Sequence, residues 1–236
     1  MTHDLNIIVI MQPYFLPYRN YYGLIQKADH FVILDDVQFC RKWQQRNMIF
    51  DNEKRKHWIT VPVRSRRSQR QLINEVCIYD EEPWQNRILH RIRQFYQYHP
   101  YFDYIFPELE GIVSKEVRRL IDLTVPLLHW SASKMGIDSP TWHFSSQIGG
   151  VGLGRSERLL FICEKLGATV YLSGPAAKSY LNTKIFQDSG IRVLWHEDSY
   201  PDYPQLPIGC FDHYVSVLDL LMNCGPRSIQ YMKPVT

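Results

Sequence analysis

The stretch that decides the fold lies near the start of the chain, where Ile7–Ile10 (IIVI) runs into Met11–Tyr18 (MQPYFLPY) and Phe31–Leu34 (FVIL) runs into Asp35–Gln38 (DDVQ). Each apolar segment is bounded by turn residues, and Tyr21–Lys27 between them has helical spacing, which predicts two strands of a parallel sheet joined by a short helix. In such sheets ligands bind beyond the carboxyl ends of the strands. Position alone therefore makes candidates of four polar side chains: Gln12, Asp35, Asp36 and Gln38.

Length and composition predict one globular α/β domain over residues 1–236. The chain has 236 residues, of which 45% are apolar and 22% charged, enough for one substantial core. A net charge of +3 gives no reason to expect a nucleic-acid partner. The five cysteines show no C-x-x-C spacing and no signal-like segment opens the chain, so we expect a cytoplasmic protein. No apolar run approaches the roughly twenty residues of a membrane helix, so we expect no membrane insertion.

The middle of the chain predicts a helical insertion in this sheet. Residues 48–63 indicate a hairpin that turns at Asp51-Asn52. Residues 83–98 and 104–135 have apolar residues at helical spacing, and Pro126 should end or kink the second helix. We therefore predict a helical insertion over residues 83–137, between segments of a mostly parallel sheet flanked by helices.

Sheet-forming sequence returns after the insertion. Thr141–Phe144 is a predicted strand, followed by Ser145-Ser146, a glycine-rich run and a helix that begins near Ser156. Val170–Leu172 is the next strand, with Ser173-Gly174 beyond it. The glycine run, Gly149, Gly150, Gly152 and Gly154, either binds phosphate ahead of the helix or is a flexible connection, and its spacing fits neither the dinucleotide fingerprint nor the P-loop.

Two elements complete the predicted fold. Ile191–Trp195 is a final strand, and an aromatic, proline-rich loop follows it. Residues 216–222 predict an amphipathic helix that Ser216 caps and that ends near Gly225.

The sequence leaves open whether the chain has an anion-binding loop and whether it has a metal site. Arg64, Arg66, Arg67 and Arg70 form either an anion-binding loop or a solvated loop. The nine histidines lack metal-ligand spacing, so no metal site is predicted, although the Asp35-Asp36 pair could hold Mg²⁺. Because adjacent strand residues point to opposite faces, at most one of these carboxylates should face a site unless the chain has already turned.

Nucleophilic catalysis lacks a signature. There is no G-x-S-x-G elbow, and Cys40 beside Arg41 is better interpreted as an incidental loop cysteine than as a reactive thiolate. General-base catalysis has more candidates, which sequence alone does not rank: Asp35, Asp36, His143 and His196.

Several short motifs, spread over nearly the whole chain, resemble the WbqC-like family. Members of that family commonly open with (His/Met)-Gln-Pro-x-x-x-Pro, which matches Met11–Pro17. The other similar motifs are Asp35–Phe39, Arg46-Asn47, Thr60–Val63, Ser145-Ser146, Tyr171–Gly174, Tyr180-Leu181, Tyr203-x-Gln205 and Ser216–Leu221. This chain has Met11 where many members have His, which argues against a catalytic role for that side chain.

The resemblance implies work in bacterial surface-polysaccharide (O-antigen) biosynthesis on a nucleotide-linked amino sugar. The most economical chemistry is transfer of an acyl or aminoacyl group to the sugar amine, from acyl-CoA or another acyl donor. One alternative is an ATP-dependent amide-forming ligase that uses Mg²⁺, and another is a non-catalytic sugar-nucleotide binding or scaffold protein. A glycosyltransferase is disfavoured because no Asp-x-Asp motif is present. The oligomeric state stays open.

Roles for the candidates follow from this hypothesis. Asp35 or Asp36 would accept the amine proton, and Gln12 and Gln38 would hold the sugar or the acyl carbonyl. Phosphate oxygens would be bound by Arg41, Arg46 and Asn47. The candidate catalytic residues are Asp35, Asp36 and Gln38. The candidate substrate-binding residues are Gln12, Pro13, Tyr14, Arg41, Trp43, Arg46, Asn47, Ser145, Ser146, Ser173, Gly174, Tyr180, Tyr203 and Gln205.

Overall fold

The structure is a computed structural model that describes residues 5–64, 71–197 and 199–232. Arg66, Arg67 and Arg70 of the predicted arginine-rich loop lie outside the described residues. Arg64 is described, and its guanidinium pairs with the Asp80 carboxylate at 2.6 Å. The anion-binding interpretation of this loop therefore stays a prediction.

The described residues form nine strands and eight α-helices. The strands are β1 (Ile7–Met11), β2 (His30–Ile33), β3 (Arg46–Phe50), β4 (Lys56–Thr60), β5 (Val63–Arg64), β6 (Cys77–Ile78), β7 (Thr141–Phe144), β8 (Val170–Ser173) and β9 (Arg192–Trp195). The helices are α1 (Arg19–Lys27), α2 (Trp84–Tyr96), α3 (Phe102–Val113), α4 (Ile121–Lys134), α5 (Ser145–Ile148), α6 (Arg155–Lys165), α7 (Thr183–Asp188) and α8 (Val217–Cys224).

These elements form two compact units, each assembled from three segments of the chain. The first, which we call the sheet unit, comprises Met1–Gln12, Gly23–Asp36 and Asp138–Asp198, as far as those residues are described. The other, the second unit, comprises Pro13–Tyr22, Val37–Ile137 and Ser199–Thr236 with the same proviso. The prediction of one domain over residues 1–236 stays a prediction.

The sheet unit is built on five parallel strands in the order β7-β2-β1-β8-β9. Ile8 pairs with His30 of β2 on one side of β1, and Ile7 pairs with Val170 of β8 on the other. The central strands are apolar and buried on both faces, as parallel strands covered by helices must be. Numbered by their appearance in the chain, these strands lie in the order 3-2-1-4-5, so the direction of winding reverses between β1 and β8. Ligands bind at such a reversal in doubly wound sheets.

A hydrophobic core holds α6 and α7 against this sheet. Ile162 and Cys163 of α6 and Phe186 of α7 are completely buried and pack with Ile8 and Tyr171 of the strands. The Tyr171 and Phe186 rings stack with centroids 5.3 Å apart. This packing fixes the ends of the strands, from which the polar residues project.

The second unit combines the β3–β4 hairpin with α2, α3, α4 and α8. The predicted hairpin and the cap of α8 are confirmed, because β3 and β4 pair antiparallel and Ser216 Oγ accepts a hydrogen bond from Leu218 N. The predicted helical region 104–135 contains two helices, α3 and α4, separated by a polar segment. Pro126 does not end α4, which continues to Lys134.

The α/β class and the mostly parallel sheet with flanking helices are confirmed. Helices α2, α3 and α4 all lie within residues 83–137, the predicted insertion. Among the residues described, every helix is too short or too polar to cross a bilayer.

Candidate functional site

Two neighbouring strands of the sheet unit end in polar side chains. β2 ends at Ile33, and Asp35 and Asp36 follow it; β7 ends at Phe144, and Ser145 and Ser146 open α5. Ile33 and Phe144 are register partners in the parallel pair β2–β7. The four polar residues therefore meet at one carboxyl edge of the sheet, because parallel strands end on the same side.

Asp35 is held by the two serines. Its Oδ1 accepts hydrogen bonds from Ser145 Oγ and Ser146 N, both at 3.0 Å, and its Oδ2 accepts one from Ser146 Oγ at 2.7 Å. The Asp35 N–H donates to Ser145 Oγ at 3.2 Å. Asp35 is 3% exposed and Ser145 is completely buried, whereas Ser146 is exposed. Asp35 thus fixes the Ser146 hydroxyl at the solvent-facing side of the cluster.

Asp36 also contacts Ser145, and it forms an ion pair with Arg158. Its Oδ1 accepts from Ser145 Oγ at 2.5 Å, and its Oδ2 accepts from Arg158 Nη2 of α6, also at 2.5 Å. The Asp36 and Arg158 side chains are 7% and 11% exposed. Both carboxylates contact Ser145 because the chain has already turned after β2, which is the exception that the sequence left open.

This group of five residues, Asp35, Asp36, Ser145, Ser146 and Arg158, is called the carboxylate cluster below. Ser145 Oγ carries a single proton, so it can donate to only one of the two carboxylates at a time. Asp36 accepts one hydrogen bond at each oxygen from the residues described, whereas a carboxylate offers about four acceptor positions. Asp36 can therefore accept a further donor, such as an amine, without losing Arg158.

The reversal point of the sheet carries three more candidates. Gln12 follows β1 directly, while Ser173 ends β8 and Gly174 follows it. The Ser173 carbonyl accepts a hydrogen bond from His196 N at 2.8 Å, which fixes the chain as it leaves β9. These residues therefore lie where a doubly wound sheet binds its ligand.

Tyr180 and two basic residues lie in the segments that follow β7 and β8. Tyr180 is 46% exposed, and the Arg155 guanidinium lies 4.7 Å from its ring centroid. Lys178 Nζ pairs with the Glu197 carboxylate and lies 5.7 Å from the Trp195 ring centroid. Exposed aromatic and cationic groups of this kind can contact a sugar or a phosphate.

The glycine run before α6 has a conformational explanation. Gly149, Gly150 and Gly152 have φ angles of 104°, 77° and 91°, a region that L side chains rarely adopt. A Cβ on Gly150 would also lie 2.8 Å from the Phe161 ring. The backbone path therefore accounts for these glycines, and their proposed phosphate role stays a prediction.

Three candidates near the start of the second unit have partners in the structure: Trp43 and Arg46 lie close to Trp58, and the buried Asn47 amide binds the backbone. The Trp43 and Trp58 ring centroids are 5.6 Å apart, and the Arg46 guanidinium lies 4.3 Å from the Trp58 centroid. Asn47 is 3% exposed; its Nδ2 donates to the Leu16 carbonyl at 2.7 Å and its Oδ1 accepts from Met48 N. The Asn47 amide is thus used to hold the backbone, which favours a structural role, and phosphate binding by Asn47 stays a prediction.

The remaining candidates of the early loops lie nearby in this unit. Pro13 is buried, and the Tyr14 ring centroid lies 5.5 Å from that of Tyr21. Gln38 is exposed and forms an antiparallel bridge with Leu72, while Arg41 is also exposed. Gln38 and Arg41 are accessible to a ligand, and their roles stay predictions.

Tyr203 and Gln205 surround a buried carboxyl group of α8. Asp219 is completely buried and accepts hydrogen bonds from Tyr203 Oη at 2.7 Å, from Gln205 Nε2 at 2.9 Å and from Tyr96 Oη at 3.2 Å. Burial raises the pKa of Asp219 to about 6, although the Tyr203, Gln205 and Tyr96 hydrogen bonds act in the opposite direction. This network favours a structural role for the two residues, and their substrate role stays a prediction.

The carboxylate oxygens of the cluster are already paired with donor groups of the protein. The four carboxylate oxygens of Asp35 and Asp36 all face O–H or N–H donors from Ser145, Ser146 and Arg158. In residues 5–64, 71–197 and 199–232, no group of three or more His, Cys, Asp or Glu side chains could hold one. The Mg²⁺ role of Asp35 and Asp36 therefore stays a prediction, and the reaction proposed below has no step through a metal.

Arg158 is the member of the carboxylate cluster that the sequence did not identify. It follows Arg155 by three residues on α6, so a basic stripe after the glycine run was the available signal. Its partner Asp36 is 122 residues away in the chain, and sequence alone does not reveal that pairing.

Comparisons with known proteins agree with the sequence motifs. The model of the WbqC-like protein family matches residues 12–231. The chain belongs to the WbqC-like family. An uncharacterized protein of Mycobacterium tuberculosis, Rv1507c, is 34% identical to it over 232 residues, which are 96% of this chain and 97% of the relative. No solved structure gives a significant match. Membership therefore covers nearly the whole chain, including both units.

Proposed function

We propose that this protein is a cytoplasmic transferase that acts on a nucleotide-linked amino sugar in bacterial surface-polysaccharide (O-antigen) biosynthesis. It moves an acyl or aminoacyl group to the sugar amine. The observation that carries the proposal is the carboxylate cluster, in which Asp36 keeps acceptor capacity for an amine at the carboxyl edge of a doubly wound sheet. The polysaccharide context is what the WbqC-like resemblance implies.

Asp36 is the general base in this proposal, and Asp35 positions the serines. Asp35 is more deeply buried and binds both serine hydroxyls, so it orients Ser145 and Ser146. The Asp36 carboxylate accepts the proton of the attacking amine, while Arg158 holds that carboxylate in place. The exposed Ser146 hydroxyl is available to hydrogen-bond to the substrate.

The proposed reaction is a simple acyl exchange. The unprotonated sugar amine attacks the carbonyl carbon of a thioester, such as acyl-CoA, and a C–N bond forms. The amine proton passes to Asp36, the C–S bond breaks, and the sulfur leaves as a thiolate that takes up a proton. The products are an N-acylated nucleotide sugar and a free thiol, with no oxidation or reduction.

The reaction is tested by incubating the protein with UDP- and dTDP-linked amino sugars and a panel of acyl-CoA donors. Release of free thiol together with the amide product, identified by mass spectrometry, is the expected result. Tight binding of the nucleotide sugar without product from any donor would contradict the transferase and favour the non-catalytic binding protein.

A second candidate function is an ATP-dependent ligase that forms the same amide. The observation that favours it is the 3-2-1-4-5 strand order, since nucleotides bind at the reversal point of such sheets, here flanked by Gln12 and Gly174. This enzyme would activate a free carboxylate with ATP and release either AMP and pyrophosphate or ADP and phosphate with each amide. Amide formation that requires ATP and a free acid would select the ligase, and turnover with a thioester alone would exclude it.

A further inference from the structure

A cavity of ≈ 340 Å³ in the second unit is lined by none of the candidate residues, although its lining residue Trp58 contacts Trp43 and Arg46. It lies where β4 and α2 come together, and both an indole and guanidinium groups line it. The lining includes Trp58, Ile59, Glu82, Arg87, Ile88 and Arg91. Binding sites for small molecules span about 300–1,000 Å³, so this volume suits a compact ligand.

Two arginines of α2 supply positive charge to the cavity. Arg87 and Arg91 are four residues apart, so they lie on the same face of the helix. Arg91 Nη1 donates to the Trp58 carbonyl at 2.9 Å, which holds the guanidinium against β4. A guanidinium has five N–H donors, so Arg91 can bind an anion while keeping this bond.

Arg87 is paired in a way that an anionic ligand can replace. Its Nη2 lies 2.6 Å from Glu82 Oε2, and both side chains are 56% exposed. Ion pairs that are this exposed contribute little to stability because water screens them. A phosphate group offers more acceptor oxygens and more charge than the carboxylate, and guanidinium groups bind phosphate in a two-point geometry.

Trp58 contributes an aromatic side chain to the lining of the cavity. It is 39% exposed although it is a large apolar side chain, and the Arg46 guanidinium lies 4.3 Å from its ring centroid. Ile59 and Ile88 are buried and add apolar lining. A planar ring can pack against an indole while a charged group on the same ligand reaches the arginines.

We propose that this cavity binds a nucleoside diphosphate, with the base and ribose against Trp58 and the phosphates on Arg87 and Arg91. The site goes beyond the proposed transferase and does not depend on it, because none of its residues belongs to the carboxylate cluster. The chemistry that the cavity recognises is a diphosphate ester attached to a planar base.

The test is isothermal titration of the full-length protein with UDP, uridine, pyrophosphate and glucose 1-phosphate. UDP should bind most tightly, since only UDP has both a planar base and a diphosphate. Glucose 1-phosphate binding as tightly as UDP would contradict the nucleotide assignment. The variant Arg87→Gln should weaken UDP binding by about tenfold or more, the usual cost of a charge-assisted hydrogen bond to phosphate.

The matched control is Arg93→Gln, on the same helix. Arg93 is exposed, like Arg87, and pairs with a glutamate, Glu110, at 3.2 Å, but it does not line the cavity. The Arg93→Gln variant should bind UDP as tightly as the natural protein does. An equal loss of UDP affinity in Arg87→Gln and Arg93→Gln would overturn the proposal. Trp58→Leu should weaken UDP more than pyrophosphate, and an equal loss for both ligands would contradict stacking on the indole.

The variant Asp36→Asn distinguishes UDP binding in the cavity from UDP binding at the carboxylate cluster. It should leave the UDP binding that depends on Arg87 unchanged, whether or not the protein proves to be a transferase. UDP binding that is lost in Asp36→Asn and kept in Arg87→Gln would assign the nucleotide to the carboxylate cluster and refute the cavity site.

Discussion

The buried carboxyl group of Asp219 should make the stability of the second unit depend on pH. Burial raises its pKa to about 6 in the folded protein, against an ordinary value of 3.8. The folded state therefore binds the Asp219 proton more tightly than the unfolded state does. It follows that this group favours folding most below pH 3.8 and that the advantage is lost as the pH rises through about 6.

The size of the effect follows from the two pKa values. Each pKa unit corresponds to 1.36 kcal/mol, so a rise from 3.8 to about 6 corresponds to ~3 kcal/mol of unfolding free energy. The loss occurs between these two values and is complete just above the upper one. Because other groups also titrate in this range, the quantity to measure is the difference between the natural protein and a variant without the carboxyl group.

Urea unfolding of the natural protein and of Asp219→Asn at pH 4, 5, 6 and 7 measures that difference. Relative to the variant, the natural protein should lose ~2.4 kcal/mol between pH 4 and pH 7, because about a fifth of the total is already lost at pH 4. In Tyr203→Phe, which removes a hydrogen bond to the carboxylate, the loss should move to higher pH because the charged form is less well stabilised. Parallel pH profiles for the natural protein and Asp219→Asn would show that the pKa of Asp219 is not raised in the folded protein.

Three further predictions concern single contacts. Arg158→Met should lower the unfolding free energy by ~3 kcal/mol, because it leaves the Asp36 carboxylate buried without its cation. The control Arg155→Met should change the unfolding free energy little. Equal urea midpoints for the two variants would contradict the buried ion pair. The double variant Asp36→Asn/Arg158→Met should be more stable than Arg158→Met alone, and purely additive losses would show that the pair is not coupled. Asn47→Ala should lower the unfolding free energy in urea by ~2 kcal/mol, because the Leu16 carbonyl and the Met48 N–H lose their hydrogen-bond partner. A loss below ~0.5 kcal/mol would show that these two hydrogen bonds are not formed.

Local sequence patterns predicted much of the sheet because the information for a strand lies within the strand. The apolar segments at β1, β2 and β8 and the polar residues after them are visible without knowledge of the rest of the chain. The sequence also placed Asp35 and Ser145 at strand ends. The structure adds that these ends are adjacent, because β2 pairs with β7 across an intervening segment of more than a hundred residues.

Features that depend on distant packing were not predictable. Tyr203 and Gln205 are polar and lie in a loop sequence, so nothing local indicates that both are buried against Asp219. Pro126 shows the same limit: proline costs about 3 kcal/mol inside a helix, yet α4 continues through it. Leu127 and its apolar neighbours on α4 are buried, and that packing offsets the cost.

The most direct test of the account is the rate of amide formation by Asp36→Asn, with Asp188→Asn as control. Asp188 is an exposed carboxylate of α7 in the same unit, and neither substitution changes the size of the side chain much. With a nucleotide amino sugar and acyl-CoA at saturating concentrations, Asp36→Asn should lower kcat by about 10²–10⁴-fold, as expected for removal of a general base, while Asp188→Asn should retain the natural rate. Turnover by Asp36→Asn at the rate of the natural protein would contradict the assignment of Asp36 and of the carboxylate cluster as the catalytic site.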